Sequence, residues 1–197
     1  MPFQHKTIEG QNLLLVPFNI EHIGGLKKIA IDKKIWDYLP YKVYSDDDFE
    51  KYINLINDRI DKGTQLFFTI IDKQTSEILG STSFLNIDET NKRLEIGGTW
   101  LTSKVWGTKV NLEVKYLLLA FCFSDIEMER IEFRTRDNNI RSQKAIEKIG
   151  GVKEGVLRSD KINEDGTFRN TILYSIVRPE WKGLKSKLIS ELNNSSK

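Results

Sequence analysis

A strand, a short glycine-containing loop and a long apolar helix follow one another between residues 93 and 123. Residues 93–101 alternate with the two-residue period of a strand, and residues 110–123 are almost wholly apolar, without Gly or Pro, which predicts a helix buried on most sides. A helix that begins directly after such a loop directs N–H groups and the positive end of its dipole at what lies in front of it. We therefore predict a phosphate-binding site at this junction. The strand would carry Leu94, Ile96, Gly98 and Trp100 on one face and Glu95, Gly97 and Thr99 on the other.

The segments around this unit predict one mixed α/β domain. Three consecutive strands directly precede the long helix and helices then alternate with strands, which does not fit a repeated βαβ unit. We expect a single domain over residues 1–178 and a helical extension over 179–197, which packs on its own domain or, alternatively, forms a homodimer contact. The predicted strands are 11–18, 66–71, 78–87, 93–101, 130–135, 152–162 and 168–177, and the predicted helices are 19–30, 45–63, 110–123, 139–149 and the last segment from Pro179.

The composition argues against several classes of function. A single cysteine, Cys122, leaves no disulfide framework and no multi-cysteine zinc site, and His5 and His22 lie far from any other ligand cluster, so we expect no metal. A formal net charge of +2 gives no argument for nucleic acid. No apolar stretch is long enough to cross a membrane and the N-terminus lacks a signal sequence, so we expect a cytoplasmic protein with no membrane partner.

Two glycines, Gly97 and Gly98, lie in the middle of the 93–101 strand. Glycine weakens a strand and often marks a bulge or a close approach of another backbone. A bulge would free N–H and C=O groups that could pair with the amides of an extended ligand or polarise a thioester carbonyl. The alternatives are a local twist of the sheet or a Trp side chain packed over glycine.

The loop 104–109 and the start of the helix 139–149 are further candidate sites. Lys104 and Lys109 add positive charge to the loop, although an ordinary strand-to-helix turn would look the same. Asn139 is placed to cap the second helix. Ser142 shares the apolar face of that helix, so its hydroxyl bonds either to the carbonyl four residues back or to a ligand.

Together these pieces resemble the GNAT superfamily of acyl-CoA-dependent N-acyltransferases, and most closely its RimJ/RimL-type branch, which acetylates protein N-terminal amines. The resemblance covers roughly residues 10–178, and the matching pieces occur in the same order as in the family. It implies a mostly antiparallel central sheet flanked by helices. The matching runs are 95–101, Trp106-Gly107-Thr108, 111–115, 139–142, 145–150, 154–158, Asp165-Gly166 and 174–176.

The resemblance also implies a reaction. Acetyl-CoA would donate its acetyl group to a primary amine in a ternary complex, with Glu95 as the base for the amine and Ser142 as the proton donor to the departing thiolate. Without the resemblance, Glu95 would be read as a solvated strand carboxylate. The residues expected to bind the cosubstrate are Gly97, Trp100, Leu101, Val105, Trp106, Gly107, Thr108, Lys109, Val110, Asn111, Asn139 and Ser142.

The loop departs from the family pattern at both ends. The family has Gln or Arg first and Gly or Ala last, whereas this chain has Lys104 and Lys109. A side chain at position 109 would either hinder the close approach of the pyrophosphate or replace part of its binding with an ammonium group.

The acceptor is the least constrained part of the prediction. It could be a protein N-terminus, as in ribosomal-protein acetylation, or a small-molecule amine, and a non-catalytic acyl-CoA-binding protein would share the same fold. The aromatic-rich stretch 35–41 could form a pocket wall or a packed connector. The acidic run 46–48 could attract a basic peptide or simply begin a helix.

Overall fold

One eight-stranded sheet organises the protein, and the computed structural model describes residues 6–163 and 165–194. The strand order is β1-β2-β3-β4-β5-β6-β8-β7, and every neighbouring pair is antiparallel except β5 and β6, which are parallel. This confirms the mixed, mostly antiparallel sheet. The strands are β1 (Ile8–Glu9), β2 (Leu13–Pro17), β3 (Gln65–Asp72), β4 (Ile78–Asp88), β5 (Arg93–Leu101), β6 (Arg130–Arg136), β7 (Val152–Ile162) and β8 (Phe168–Val177).

Among the described residues five α-helices cover the sheet, and a polar side chain caps the start of three of them or of the turn that leads into one. Asn19 caps a short 3₁₀ turn that leads into α1, Ser45 accepts a hydrogen bond from the Asp48 N–H, and Asn139 accepts one from the Ser142 N–H. The helices are α1 (Ile23–Ala30), α2 (Asp46–Asp61), α3 (Val110–Ala120), α4 (Ile140–Lys148) and α5 (Arg178–Asn193).

Two segments differ from the sequence-based prediction, and parts of two others lie outside the described residues. The strand predicted over 11–18 is limited to β2, and the two-residue β1 before it is too short to have a detectable period. The helix predicted over 110–123 changes into a π-helical turn at Phe121–Asp125. The predicted turn 163–166 includes Glu164, and the predicted polar end includes residues 195–197, all of which lie outside the described residues.

The two faces of the sheet carry separate apolar cores. On one face, α3, α4 and α5 bury residues such as Leu118, Ile146 and Leu188 against the sheet. On the other, α1 and α2 pack around Trp36 and Tyr52. Because each face is covered by its own helices, only a break in the sheet can connect them.

A bulge in β5 redirects its second half. Ser81 of β4 pairs with Trp100 and Ser83 pairs with Gly97, so Gly98 and Thr99 together oppose the single residue Thr82. Gly98 has a φ of +60°, which favours glycine. The bulge suggested by the glycine pair is thus confirmed.

The predicted face of Trp100 is wrong for the same reason. Strict alternation placed Trp100 with Leu94 and Ile96, but the extra residue reverses the alternation beyond the bulge. Leu94 and Ile96 pack under α3, whereas Trp100 packs with Trp36 and donates a hydrogen bond to the Tyr52 hydroxyl on the α1/α2 face. Glu95, Gly97 and Trp100 therefore share one face.

The sheet opens between β5 and β6. These parallel strands pair only from Arg93 with Arg130 to Glu95 with Glu132, although β5 continues to Leu101 and β6 to Arg136. Beyond Glu95 the two strands separate, and the gap joins the α3/α4 face to the α1/α2 face.

The last helix completes the core over α3. Trp181 and Leu188 of α5 are buried, and the Trp181 ring lies 5.5 Å from Phe123 and 6.2 Å from Tyr116 between ring centroids. Within the described part of the chain, no helix is both long and apolar enough to cross a membrane.

Candidate active site

A cavity of about 830 Å³ occupies the gap between β5 and β6. Its wall comes from both strands, from the loop before α3, from α3 and α4, and from the segment between α1 and α2. Because it reaches both faces of the sheet, two ligands could enter from opposite sides and meet in the gap. Of the residues predicted to act or to bind cosubstrate, Glu95, Gly97, Trp100, Leu101, Val105, Trp106, Gly107, Thr108, Asn111, Asn139 and Ser142 line this cavity.

Glu95 is held where the two strands begin to separate. It is 8% exposed, its Oε2 accepts a hydrogen bond from Asn86 Nδ2 at 2.9 Å, and Arg134 Nε lies 3.3 Å from the same oxygen. Burial raises the pKa of this carboxyl, while Arg134 and Asn86 act against that increase. A buried carboxylate with a raised pKa accepts a proton more readily than an exposed one, which suits a general base in a cavity.

Lys115 is a second buried ionisable group in the cavity. Its Nζ donates a 2.8 Å hydrogen bond to Thr99 Oγ1 at the bulge and lies 5.8 Å from the centre of the Phe133 ring on β6. No carboxylate of the described residues forms an ion pair with it. Burial lowers its pKa to about 7, so its charge changes in the physiological range. Lys115 belongs to the run 111–115 that resembles the family, but it was not predicted as a site residue.

The loop before α3 has the backbone of an anion site. Gly107 has a φ of +77°, and a Cβ built there would meet nothing within 4 Å, so conformation rather than space requires glycine. The N–H groups of Gly107 and Lys109 bond to no acceptor in the described chain. Trp106 is fixed by its indole N–H, which donates to the Leu101 carbonyl at 2.9 Å, and Arg141 of α4 stacks 4.5 Å above the ring.

Lys109 turns away from this loop. Its Nζ donates hydrogen bonds to the carbonyl oxygens of Leu192, at 3.0 Å, and Asn194, both at the C-terminal end of α5. An ammonium group there also complements the helix dipole. Its φ of −77° is ordinary for any residue. Neither Lys109 nor its neighbour Val110 lines the cavity, and Val110 packs against the core under α3.

The start of α4 brings two predicted residues to the cavity. The Asn139 side chain caps the helix, as described above, and Ser142 lies one turn further along. The Ser142 hydroxyl makes no hydrogen bond to any described residue, including the carbonyl four positions back, and it lines the cavity. Of the two alternatives for Ser142, this geometry favours an interaction with a ligand.

The aromatic stretch 35–41 has both proposed roles. Ile35 and Trp36 are buried in the core of the α1/α2 face. Tyr38, Leu39, Pro40 and Tyr41 line the cavity, and the Tyr41 hydroxyl accepts a 2.6 Å hydrogen bond from Arg59 of α2. The acidic run 46–48 is the first turn of α2, where Asp48 caps the Tyr44 N–H at 3.1 Å, and it does not line the cavity.

Several cavity residues were not predicted as site residues. Lys115 bonds to Thr99, which was not predicted either, and Arg134 contacts the predicted Glu95. Arg136 lies on β6 and Arg169 on β8, and these two strands pair with each other. Among the described residues no three His, Cys, Asp or Glu side chains come together as a metal site, and His5 lies outside that part of the chain.

Comparison with known proteins points to one family. The Acetyltransferase (GNAT) domain model matches residues 12–152. The uncharacterized N-acetyltransferase p20 of Bacillus licheniformis is 28% identical over 90% of this chain and 99% of its own length. The [ribosomal protein uS5]-alanine N-acetyltransferase of Escherichia coli is 23% identical over 66% of each chain. A GCN5-related N-acetyltransferase of Brucella melitensis has the same fold, with a TM-score of 0.86 at 24% identity, covering 94% of this chain and 85% of that one.

Proposed function

Because the chain belongs to the GNAT acetyltransferase family, we propose that it transfers an acetyl group from acetyl-CoA directly to a primary amine. The observation that carries this proposal is the cavity between β5 and β6, which reaches both faces of the sheet and has Glu95 in its wall. The thioester would enter from the α3/α4 face and the amine from the α1/α2 face. The two would meet beside the bulge in β5.

The α3/α4 face supplies groups suited to a CoA molecule. The pyrophosphate would bind the free N–H groups of the loop around Gly107 and the N-terminus of α3. Asn139 and the open backbone of β5 would bind the pantetheine amides. Lys109 does not occupy this space, since its side chain is committed to the end of α5.

The α1/α2 face would present the amine to Glu95. The amine nitrogen attacks the thioester carbon, a C–N bond forms, and the surplus proton on nitrogen moves to Glu95, directly or through water. The oxyanion would be stabilised by N–H groups at the bulge. The C–S bond then breaks and the thiolate takes a proton from Ser142, which regains one from solvent.

Ser142→Ala tests the proposed proton donor. We expect kcat to fall by about 10²-fold, because a positioned proton donor contributes on that order, while the KM for acetyl-CoA changes little. Steady-state kinetics with saturating acceptor measures both constants. The Ser142 hydroxyl has no hydrogen-bond partner in the described part of the chain, so the melting temperature should be unchanged. Full turnover by the variant would remove Ser142 from the mechanism.

The acceptor we propose is the amino terminus of a protein. The similarity to the uS5-alanine acetyltransferase supports this choice, as does the resemblance to the RimJ/RimL-type branch, and a protein of this kind would act in the cytoplasm. Small-molecule amines are the alternative acceptors.

A screen for thiol release tests the proposed function. The purified protein is mixed with acetyl-CoA and, separately, N-terminal peptides, polyamines, aminoglycosides and amino acids, and free CoA thiol is measured. We expect acceptor-dependent thiol release with at least one class. Binding of acetyl-CoA without release for any acceptor would instead support a non-catalytic acyl-CoA-binding protein.

A further inference from the structure

Four basic side chains line the cavity, and we call them together the cationic cluster: Arg59, Arg136, Lys161 and Arg169. In the sheet, Arg136 opposes Thr171 of β8 and Lys161 of β7 opposes Arg169, so the pairing of β6, β7 and β8 places these three basic residues on one face. Ile172, Tyr174 and Ile176 of β8 point to the opposite face, under α3 and α4. The cluster therefore lies on the α1/α2 face, with Glu95.

Two of these guanidinium groups have unused donors. The Nε atoms of Arg136 and Arg169 are buried and have no hydrogen-bond partner among residues 6–163 and 165–194. Arg136 Nη2 donates only a 3.3 Å hydrogen bond to the Leu39 carbonyl, and Arg169 makes no hydrogen bond or ion pair with any described residue. Buried donors of this kind normally have partners, and guanidinium groups suit carboxylates in particular.

The two arginines also lie close enough to repel each other. The pKa of Arg169 is lowered, first by burial and then by the charge of Arg136, while Asp160 and Asp137 act in the opposite direction. An anion placed between the two arginines would relieve this repulsion and satisfy the free donors.

The acids of this face offset the charge of the cluster only in part. Glu95 is already paired with Arg134, and Asp137 accepts a hydrogen bond from Asn170. Asp160 lines the cavity, but its Oδ2 has no hydrogen-bond partner, and no member of the cationic cluster forms an ion pair within 4.0 Å with a described residue. The acceptor side of the cavity therefore carries an excess of positive charge.

From this arrangement we infer that the acceptor carries a carboxylate near its amine, which Arg136 and Arg169 bind while the amine lies at Glu95. This inference rests on the proposed function. The carboxylate could belong to an acidic side chain early in a peptide or to the α-carboxylate of a free amino acid. A polyamine would instead meet like charge and bind poorly.

Matched acceptors test the inference. Two peptides that start with Ala and differ only by Asp or Asn at the second position are compared with glutamate, glutamate α-amide and spermidine, using acetyl-CoA and thiol release. We expect the acid of at least one matched pair to be acetylated with about tenfold or higher kcat/KM than its amide, because a charge-assisted hydrogen bond is lost with the amide. The pair that shows the difference identifies the source of the carboxylate.

Arg169→Gln and Arg136→Gln should abolish this preference. Each variant is expected to lower kcat/KM for the preferred acid about 10- to 100-fold by raising its KM. The kcat/KM for the matched amide and the KM for acetyl-CoA should not change. Arg158→Gln is the matched control, since Arg158 is exposed on β7 and does not line this cavity.

Calorimetric titration of the Asp and Asn peptides and of glutamate and its α-amide, in the presence of CoA, separates failure of the inference from failure of the proposed function. If no acceptor turns over, the proposed function fails, yet tighter binding of an acid than of its amide, lost in Arg169→Gln, still supports the anion site. Equal binding and equal kcat/KM of acids and amides would overturn the inference, as would spermidine as the best acceptor.

Discussion

Glu95→Gln is expected to reduce kcat/KM for the amine acceptor by about 10²- to 10⁴-fold, which is the contribution of a positioned general base. The amide keeps the size of the side chain and can still bond to Asn86, but it cannot accept a proton. As the solution is acidified, Glu95 becomes protonated and wild-type kcat/KM should fall. Because burial raises the pKa of Glu95, this fall should occur at a higher pH than for an ordinary carboxyl group. In the variant this acid limb should be absent, and a pH–rate profile with saturating acetyl-CoA measures it.

Glu132→Gln is the matched control for this experiment. Glu132 lies opposite Glu95 on the paired strand β6, and its Oε2 accepts a 3.3 Å hydrogen bond from Arg134. The negative charge of Glu132 contributes to the raised pKa of Glu95. Its loss should shift the acid limb to lower pH while leaving the limb present. An acid limb that persists unchanged in Glu95→Gln would show that another group is the base.

Lys115→Met is expected to stabilise the protein at neutral pH. Burial lowers the pKa of Lys115 from 10.5 to about 7, so between these values the unfolded chain holds a proton that the folded protein has released. Wild-type stability should therefore rise with pH from about 7 to 10.5, and at or below pH 7 the buried lysine lowers stability most. Over this whole pH range the free energy of unfolding should change by roughly 5 kcal/mol, at about 1.4 kcal/mol per pH unit. We expect a gain of about 1–3 kcal/mol at pH 7, because methionine loses the hydrogen bond to Thr99.

Denaturant unfolding at pH 6, 7.5 and 9 measures this effect. The pH dependence attributed to Lys115 should disappear in the methionine variant. Lys144→Met, at an exposed position on α4, is the control and should leave both the stability and its pH slope nearly unchanged. A Lys115→Met protein that is less stable than wild type at pH 7 and keeps the wild-type slope would contradict the account.

Local patterns were sufficient for most of the fold. Capping residues, the apolar period of the helices and the alternation of the strands depend on neighbours within a few positions, so Ser45, Asn139 and the β7–β8 hairpin could be predicted. The glycine pair likewise indicated the bulge. Its effect on Trp100 could not be predicted, because the alternation rule assumes that no extra residue interrupts the strand.

The parts of the site that were not predicted depend on distant contacts. A charged residue on a helix is normally expected to reach solvent. Lys115 is instead buried beside the gap between β5 and β6, and that gap depends on how two distant strands pair. Arg136 and Arg169 are brought together by the pairing of β6 with β8. Lys109 reaches carbonyl groups 83 and 85 positions away, which no local pattern can indicate.

Intact mass spectrometry during turnover tests the central claim most directly. The protein is incubated with acetyl-CoA and the acceptor that gives the fastest thiol release, and both the acceptor and the protein are weighed over time. Direct transfer predicts one acetyl group added to the acceptor amine, one free CoA released for each, and a protein mass that never changes. Acetyl-CoA that binds without any acetylated acceptor, or an acetyl group that passes first through the protein, would contradict the account.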